Sequence, residues 1–207
     1  MPIHDLLYRC PLCDAETTTT FISNQTSCLG CKTIFSNSID SQILVQPQRE
    51  PAYLTSAHML TLSMEKLLKT RFDRLSNPDQ SLLRSEAIMA IASEYQPVYS
   101  KKELMGYTEV IRGGTAGHLI LSKSLDFVGE KGVLHHWNFD QIKSLQISSD
   151  AIQLYMQEKG LHQFKLIENS PKLWEDNLKL AISRYYLKQN LEIFSYQPVI
   201  KTRRIDF

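Results

Sequence analysis

The chain has 207 residues, a formal net charge of +1 and 43% hydrophobic residues, which is enough for one large globular domain or two small ones. The near-neutral charge disfavours a nucleic-acid binder, which usually carries a basic surplus. No apolar run reaches the roughly 18 residues that cross a bilayer, and the N-terminus lacks the basic start and apolar segment of a signal peptide. We therefore expect a cytoplasmic protein whose membrane contact, if any, is peripheral.

All four cysteines lie in one short N-terminal segment, as two C-x2-C pairs. Cys10 and Cys13 form the first pair, and Cys28 and Cys31 form the second. Each pair lets two thiolates reach one ion from a tight turn, and two pairs supply the four-sulfur shell that structural zinc prefers. Four thiolates leave no open position for a substrate, so the predicted cofactor is a structural Zn²⁺ ion. An iron–sulfur cluster or a redox dithiol is the alternative.

The residues between the two pairs favour strands, and the order of turn, hairpin and turn resembles a zinc ribbon over residues 1–40. Gly30 permits the close backbone approach that the second turn needs. About 30 residues bury too little surface to fold alone, so metal binding would supply the missing stability. This segment has two basic side chains against four acidic ones, a poor phosphate-binding surface. We expect it to contact protein or the rest of the chain.

The middle of the chain is predicted as a linker followed by a helical hairpin. Residues 41–55 are polar and contain two prolines, which is typical of a linker. Residues 56–75 repeat apolar side chains at three- and four-residue steps, which predicts an amphipathic helix. A second helix is expected over about 79–94 and ends before Pro97, so residues 56–96 would form the hairpin.

Seven short β-rich runs separated by tight turns follow, and they predict an antiparallel sandwich or barrel. The runs are 107–112, 118–121, 124–128, 133–139, 144–147, 152–157 and 161–166. Ser170 is a natural N-cap and Pro171 suits the first helical position, so a closing helix is expected there. Trp174 lies on the apolar stripe of this helix, which would cover an open end of the barrel.

Strands closed by one C-terminal amphipathic helix resemble the pleckstrin-homology (PH) plan, and the sequence resembles its GRAM and bacterial PH-like variants over residues 105–190. The resemblance rests on residues 117–129, on 137–145, on 162–165 and on the tryptophan-bearing helix. That family usually carries a basic pair such as Asn-Arg before its Leu-x-Phe strand, where this chain has Lys123 followed by serine. The resemblance implies binding of a lipid headgroup or a protein rather than catalysis.

The candidate ligand-binding groups of this PH-like region are lysine and histidine side chains. They are Lys123, Lys131, His135, His136 and Lys165. Residues 100–190 hold 12 Lys or Arg against 10 Asp or Glu, so we expect no dominant basic face for an anionic lipid. The competing interpretation is that these side chains are ordinary solvated positions on strands and turns.

No catalytic constellation emerges from the sequence, so we expect no enzymatic activity. His135 and Asp140 do fit the His-x4-Asp pattern of glycerolipid acyltransferases, in which a histidine base held by an aspartate activates a hydroxyl. On a strand, however, their odd offset would point the two side chains to opposite faces.

The predicted architecture is therefore α+β, with a zinc ribbon, a helical hairpin, a PH-like seven-stranded antiparallel barrel capped by a C-terminal helix, and a tail over residues 191–207. The functional hypothesis is a non-enzymatic intracellular adapter that binds a protein partner or a membrane lipid headgroup. An accessory or regulatory subunit of an enzyme, for example a lipid-modifying one, is the alternative. A nucleic-acid-associated ribbon factor is a third hypothesis, which the charge disfavours.

Overall fold

The computed structural model shows a mixed α+β protein with two mainly antiparallel sheets and two long helices. The residues it describes are 3–15, 19–22, 25–38, 42–74, 82–100, 102–111, 113–148, 150–157, 159–167 and 169–191. Almost all of the tail predicted over 191–207 therefore lies outside the described residues. The α+β class is as predicted.

The N-terminal sheet has five antiparallel strands in sequence order, preceded by a single helical turn. The turn is α1 (Ile3–Leu6), and the strands are β1 (Thr19–Ile22), β2 (Gln25–Cys28), β3 (Ile34–Asn37), β4 (Gln42–Gln46) and β5 (Tyr53–Ser56). The linker predicted over 41–55 is thus wrong, because β4 and β5 lie within it. Ile43 and Val45 are buried and alternate with less buried neighbours, which is the two-residue period of a strand.

The first long helix, α2 (Ala57–Arg74), confirms the helix predicted from residue 56 onwards. The backbone amide of Met59 donates a hydrogen bond to the Ser56 hydroxyl at 3.2 Å, so Ser56 caps the helix. Leu60 and Met64 are buried beside the N-terminal sheet, whereas Leu68 is buried in the second core of the protein. The helix therefore connects the two cores.

The C-terminal sheet is larger and is open. Its strands are β6 (Leu83–Ser100), β7 (Glu103–Ile111), β8 (Thr115–Leu121), β9 (Leu125–Gly129), β10 (Leu134–Trp137), β11 (Ile142–Ile147), β12 (Ala151–Met156) and β13 (Gly160–Leu166). Seven of them follow the order β10-β9-β8-β6-β13-β12-β11, and β7 pairs with the outer half of β6. Each of the seven predicted runs coincides with one strand, but β10 and β11 do not pair in the described structure, so the sheet does not close into the predicted barrel.

The second helix predicted over about 79–94 is wrong, and with it the helical hairpin over 56–96. Leu83–Ser100 is a strand, and it is the central one of the C-terminal sheet. Ser85, Ala87 and Met89 are buried while the residues between them are exposed, which is the two-residue period of a strand. Leu83–Ser100 forms a strand rather than a helix because it pairs with β8 on one side and β13 on the other. Both partners are distant in sequence.

The closing helix, α3 (Pro171–Lys188), begins as predicted, with Pro171 in its first turn. The Ser170 hydroxyl accepts a hydrogen bond from the backbone amide of Lys172 at 3.1 Å. Trp174 and Leu178 are fully buried against the sheet, and the indole nitrogen of Trp174 donates to the Ser85 hydroxyl at 2.7 Å. Helix α3 thus packs its apolar stripe on the open C-terminal sheet, whereas the sequence predicted that it would cover an open end of a barrel.

Two separate hydrophobic cores result from this arrangement. The N-terminal core comprises Ile3, Leu6, Leu7, Tyr8, Cys10, Cys28, Phe35, Ile43, Val45, Leu60 and Met64. The C-terminal core is built around Trp137, Trp174, Phe127 and Phe164 between the sheet and α3. Leu173 of α3 packs against the N-terminal core, so the two cores meet at the start of this helix.

Candidate metal centre

The four cysteine side chains converge on one point at the edge of the N-terminal core. All four sulfur atoms lie within 4.8 Å of one another. The Cys10 sulfur is 3.6 Å from that of Cys31, and the Cys13 sulfur is 3.5 Å from that of Cys28. A tetrahedral ion with metal–sulfur bonds of about 2.3 Å needs sulfurs roughly 3.8 Å apart. The cluster therefore has the dimensions of a site for a single metal ion.

The two C-x2-C turns that carry these sulfurs are equivalent in backbone structure. Each first cysteine donates and accepts one matching hydrogen bond: Cys10 N to Ala15 O (3.3 Å), Asp14 N to Cys10 O (2.9 Å), Cys28 N to Thr33 O (2.9 Å) and Lys32 N to Cys28 O (2.9 Å). Asp14 and Lys32 occupy the same place in the two turns and both have positive φ, 57° and 61°. Two separate segments thus adopt one conformation around a shared centre.

Gly30 lies where the second turn approaches the sulfurs most closely. A Cβ atom there would be 3.0 Å from the Ala15 Cβ and 3.3 Å from the Cys13 sulfur. Both neighbours belong to the other turn, so a side chain at this position would push the two turns apart. The close approach that the sequence predicts at Gly30 is confirmed.

The environment of the thiols differs from one cysteine to the next. Burial raises the pKa of Cys10 and of Cys13. Burial also acts to raise the pKa of Cys31, but hydrogen bonds from the Thr33 hydroxyl and backbone amide, and from Cys10 and Cys13, lower it to about 6. The Thr33 hydroxyl lies 3.1 Å from the Cys31 sulfur. A bound cation would favour the thiolate form of all four groups, since metal ligands must be deprotonated.

Arg9 holds the first turn in place from within. Its guanidinium donates to the backbone oxygen of Asp14 at 2.6 Å, and its Nε lies 2.8 Å from an Asp14 carboxylate oxygen. The Arg9 side chain is almost fully buried, whereas the Asp14 side chain is 37% exposed, so solvent still screens part of this ion pair. Arg9 is one of the two basic residues of the first 40, and no sequence motif marks it as a structural residue.

The segment just before the candidate metal centre packs against the C-terminal helix. The Tyr8 hydroxyl donates a hydrogen bond of 2.7 Å to a carboxylate oxygen of Asp176 in α3. Burial, the Asp176 charge and this hydrogen bond all raise the pKa of Tyr8 above its ordinary value. The other carboxylate oxygen of Asp176 accepts from the Lys172 ammonium at 2.6 Å. The segment carrying the first cysteine pair is therefore fixed against α3 and does not form a separate unit.

The three lysines predicted as ligand-binding residues do not converge. Lys123 lies in the turn before β9, and Lys131 lies in the turn after it, so the two are at opposite ends of that strand. Lys165 is on β13, where its ammonium is 3.2 Å from a carboxylate oxygen of Asp150. Their role in ligand binding remains a prediction, and the structure does not bring them together.

The two histidines predicted with them are neighbours on β10. The His135 ring stacks on that of Trp137, with centroids 5.7 Å apart. His136 is exposed, and its Nδ1 atom lies 2.6 Å from an Asp126 carboxylate oxygen. On β10, the histidine that contacts an aspartate is therefore His136, and its partner is Asp126 on β9.

The chain matches no protein-family model, and none of the curated proteins compared with it is similar in sequence. Neither α2 nor α3, the long helices in the described part of the chain, contains an apolar stretch that could cross a membrane. Function therefore has to be inferred from the thiol cluster and from the surfaces of the two sheets.

Proposed function

We propose that this chain is a zinc-stabilised adapter, in which a four-thiolate Zn²⁺ ion fixes the N-terminal region and a PH/GRAM-like C-terminal region binds a partner protein. The proposal depends chiefly on the four sulfurs, which lie within 4.8 Å of one another on two equivalent turns. Tetrahedral sites with four thiolates suit zinc or iron. The enclosure fits one ion and is too tight for a cluster of several iron atoms.

Zinc in this site would be structural. Four protein thiolates complete the tetrahedral shell, so no position is left for a substrate or an activated water. Cys10 and Cys28 belong to the N-terminal core, and the ion would hold that core together. An N-terminal region of this size gains from metal the stability that its apolar contacts cannot supply.

The succession of antiparallel strands and one covering helix supports the PH/GRAM-like interpretation of the C-terminal region. Strands β8 to β13 follow one another as predicted, and α3 packs across the core through Trp174. The central strand β6 takes the place of the helix that was predicted before them. Domains of this type act by binding, and the proposal is accordingly a non-enzymatic one.

A surface of β6 and β7 favours a protein partner over a lipid headgroup. The outer half of β6, paired with β7, forms a two-stranded arm that carries Tyr95, Tyr99 and Met105, which are 61%, 61% and 67% exposed. Exposed tyrosine and methionine are enriched at protein interfaces. A headgroup would need converging basic groups, whereas Lys123 and Lys131 lie at opposite ends of β9.

Metal analysis tests the zinc part of the proposal. We expect the purified full-length chain to contain one zinc ion per molecule, and Cys28→Ser to lose it. Ser36→Ala, on the neighbouring strand β3, should keep it and serves as the matched control. Absence of metal, or stoichiometric iron in place of zinc, would contradict this part of the proposal.

Affinity purification followed by vesicle flotation tests the adapter part. We expect a defined protein partner that is lost when Tyr95, Tyr99 and Met105 are changed to alanine together, and retained when Lys123 and Lys131 are. Vesicles with and without phosphoinositide should both leave the protein unbound. Flotation with anionic vesicles that the lysine variant abolishes would reverse the assignment in favour of a lipid headgroup.

A further inference from the structure

Tyr8 joins the metal centre to the C-terminal helix. It lies two residues before the first cysteine ligand, and its hydroxyl donates to the Asp176 carboxylate at 2.7 Å in a buried contact. The Asp176 side chain is only 4% exposed. Leu173, on the same turn of α3, packs against the N-terminal core that contains Tyr8 and Cys10. The start of α3 is thus covered by the segment that carries the first C-x2-C pair.

The position of Tyr8 depends on the conformation of the first C-x2-C turn. Arg9 follows Tyr8 directly and is bound twice to Asp14, once through the backbone oxygen and once through the carboxylate. Asp14 in turn donates its backbone amide to the carbonyl of Cys10. A metal ion that holds Cys10 and Cys13 therefore also holds Arg9, and through it the neighbouring Tyr8.

On the opposite side of the contact lies a row of charged groups that are mostly buried. Lys172 donates to Asp176 at 2.6 Å and to Glu175 at 2.9 Å, and Lys179 donates to Glu175 at 2.6 Å. Buried charges are stable only when their hydrogen bonds are satisfied. When Tyr8 withdraws, Asp176 loses a donor and water must replace it, so the first turns of α3 are stabilised by the segment they contact.

Helix α2 provides a second connection that does not involve the metal. Leu60 and Met64 lie in the N-terminal core and Leu68 lies in the C-terminal core. The two parts of the protein therefore stay connected when the contact at Tyr8 opens. A local opening of this kind would expose the start of α3 while the C-terminal sheet remains folded.

We propose that Tyr8 and Asp176 form a metal-dependent latch, which covers the first two turns of α3 when the ion is bound and releases them when it is lost. With zinc bound, the latch covers a surface of the C-terminal region that includes Leu173 and the Lys172–Asp176 pair. Loss of zinc exposes that surface. It rests on the zinc site proposed above and adds a regulated surface to that structural role.

Zinc affinity gives the first test, because coupling between two sites is reciprocal. If metal binding favours the closed latch by a certain factor, then loss of the latch must weaken metal binding by up to that factor. We expect Tyr8→Phe and Asp176→Asn to bind zinc roughly 5- to 150-fold more weakly than the unmodified chain, measured by competition with a chromophoric chelator. Tyr155→Phe removes an exposed hydroxyl from β12 of the C-terminal sheet and is the matched control, which should leave the affinity unchanged. Unchanged affinity in both latch variants would overturn the proposal.

Hydrogen exchange of the full chain gives the second test. In the zinc-loaded Tyr8→Phe variant, amides from Trp174 to Leu178 should exchange faster than in the zinc-loaded unmodified chain, while amides of β12 keep their rates. Chelation should accelerate the same α3 amides in the unmodified chain. If zinc binds and α3 exchange does not respond to the variant, the latch is excluded and the zinc site stands. If no zinc binds at all, the proposed function itself fails.

Discussion

The two cores of this protein are stabilised in different ways. In the described part of the chain, the C-terminal core fully buries four aromatic side chains, Trp137, Trp174, Phe127 and Phe164, each of which removes a large apolar area from water. The N-terminal core has one fully buried aromatic residue, Phe35, and it includes two of the candidate metal ligands. The comparison teaches that apolar packing dominates one core, whereas the other combines a smaller set of aromatic contacts with the thiols of a candidate metal site.

The strongest test of the C-terminal core is Trp174→Ala. It removes a fully buried indole and leaves the Ser85 hydroxyl without that donor, so we expect a loss of about 3–5 kcal/mol in the free energy of unfolding. Urea denaturation of the zinc-loaded protein measures it. Trp174→Phe keeps most of the packing and isolates the hydrogen bond, and it should cost less. A loss below about 1 kcal/mol in Trp174→Ala would mean that α3 is not essential to this core.

Gly30→Ala tests the N-terminal core, which carries the candidate metal site, in the same way. The added methyl would lie 3.0 Å from the Ala15 Cβ and 3.3 Å from the Cys13 sulfur, so the two turns must separate. We expect a destabilisation of roughly 1–3 kcal/mol, typical of overpacking, together with weaker zinc binding. Thermal unfolding and chelator competition measure the two effects. Leu29→Ala changes the exposed neighbour and is the control, which should have little effect. Unchanged stability and zinc affinity in Gly30→Ala would show that the turn tolerates a Cβ at position 30.

Ser170→Ala should have a smaller effect, confined to the start of α3. The Ser170 hydroxyl accepts from the Lys172 amide at 3.1 Å, and removal of an N-cap costs about 1 kcal/mol. Urea denaturation measures the change, with Ser144→Ala on the exposed side of β11 as the control. Equal stability of the two variants would indicate that Pro171 and the packing of Trp174 alone determine where the helix begins.

The metal centre could be predicted from the sequence because its information is local. Each C-x2-C turn is contained in six residues, and four thiols in one short segment leave little choice of chemistry. Gly30 and the Ser170 cap were predictable for the same reason, since a turn or a cap needs a particular residue at one position. The identity of the metal is a further step, which depends on the proposed measurement.

Strand β6 and the contact at Tyr8 could not be predicted, because both depend on residues distant in sequence. The alanines of β6 fit a helical spacing as well as a strand, and pairing with β8 and β13 decides between them. Tyr8 and Asp176 are separated by 168 positions, and nothing in either neighbourhood indicates the other. The sequence therefore predicted the contents of each core better than the way in which the two cores meet.

The smallest expected effect is a pH dependence of the C-terminal core through His162. This side chain is 1% exposed, lies edge-on to Trp137, and has its Nδ1 atom 3.2 Å from the Gly160 carbonyl. Burial lowers its pKa, and the nearby His135 and Lys159 lower it further, against the opposing effect of the Gly160 carbonyl. Because the folded protein binds this proton less readily than the unfolded chain, stability should fall as the pH drops below about 6.5 and level off below the folded pKa.

Urea denaturation at several pH values, with saturating zinc, measures this dependence. His162→Gln cannot take up the proton, so its stability should fall less than that of the unmodified chain between about pH 7 and pH 5. Effects of pH on the thiolates occur in both proteins and cancel in the comparison. Parallel pH profiles of the two proteins would show that His162 has the same pKa in the folded and the unfolded state. Divergent profiles would show that the aromatic-rich C-terminal core contains a group that responds to acid.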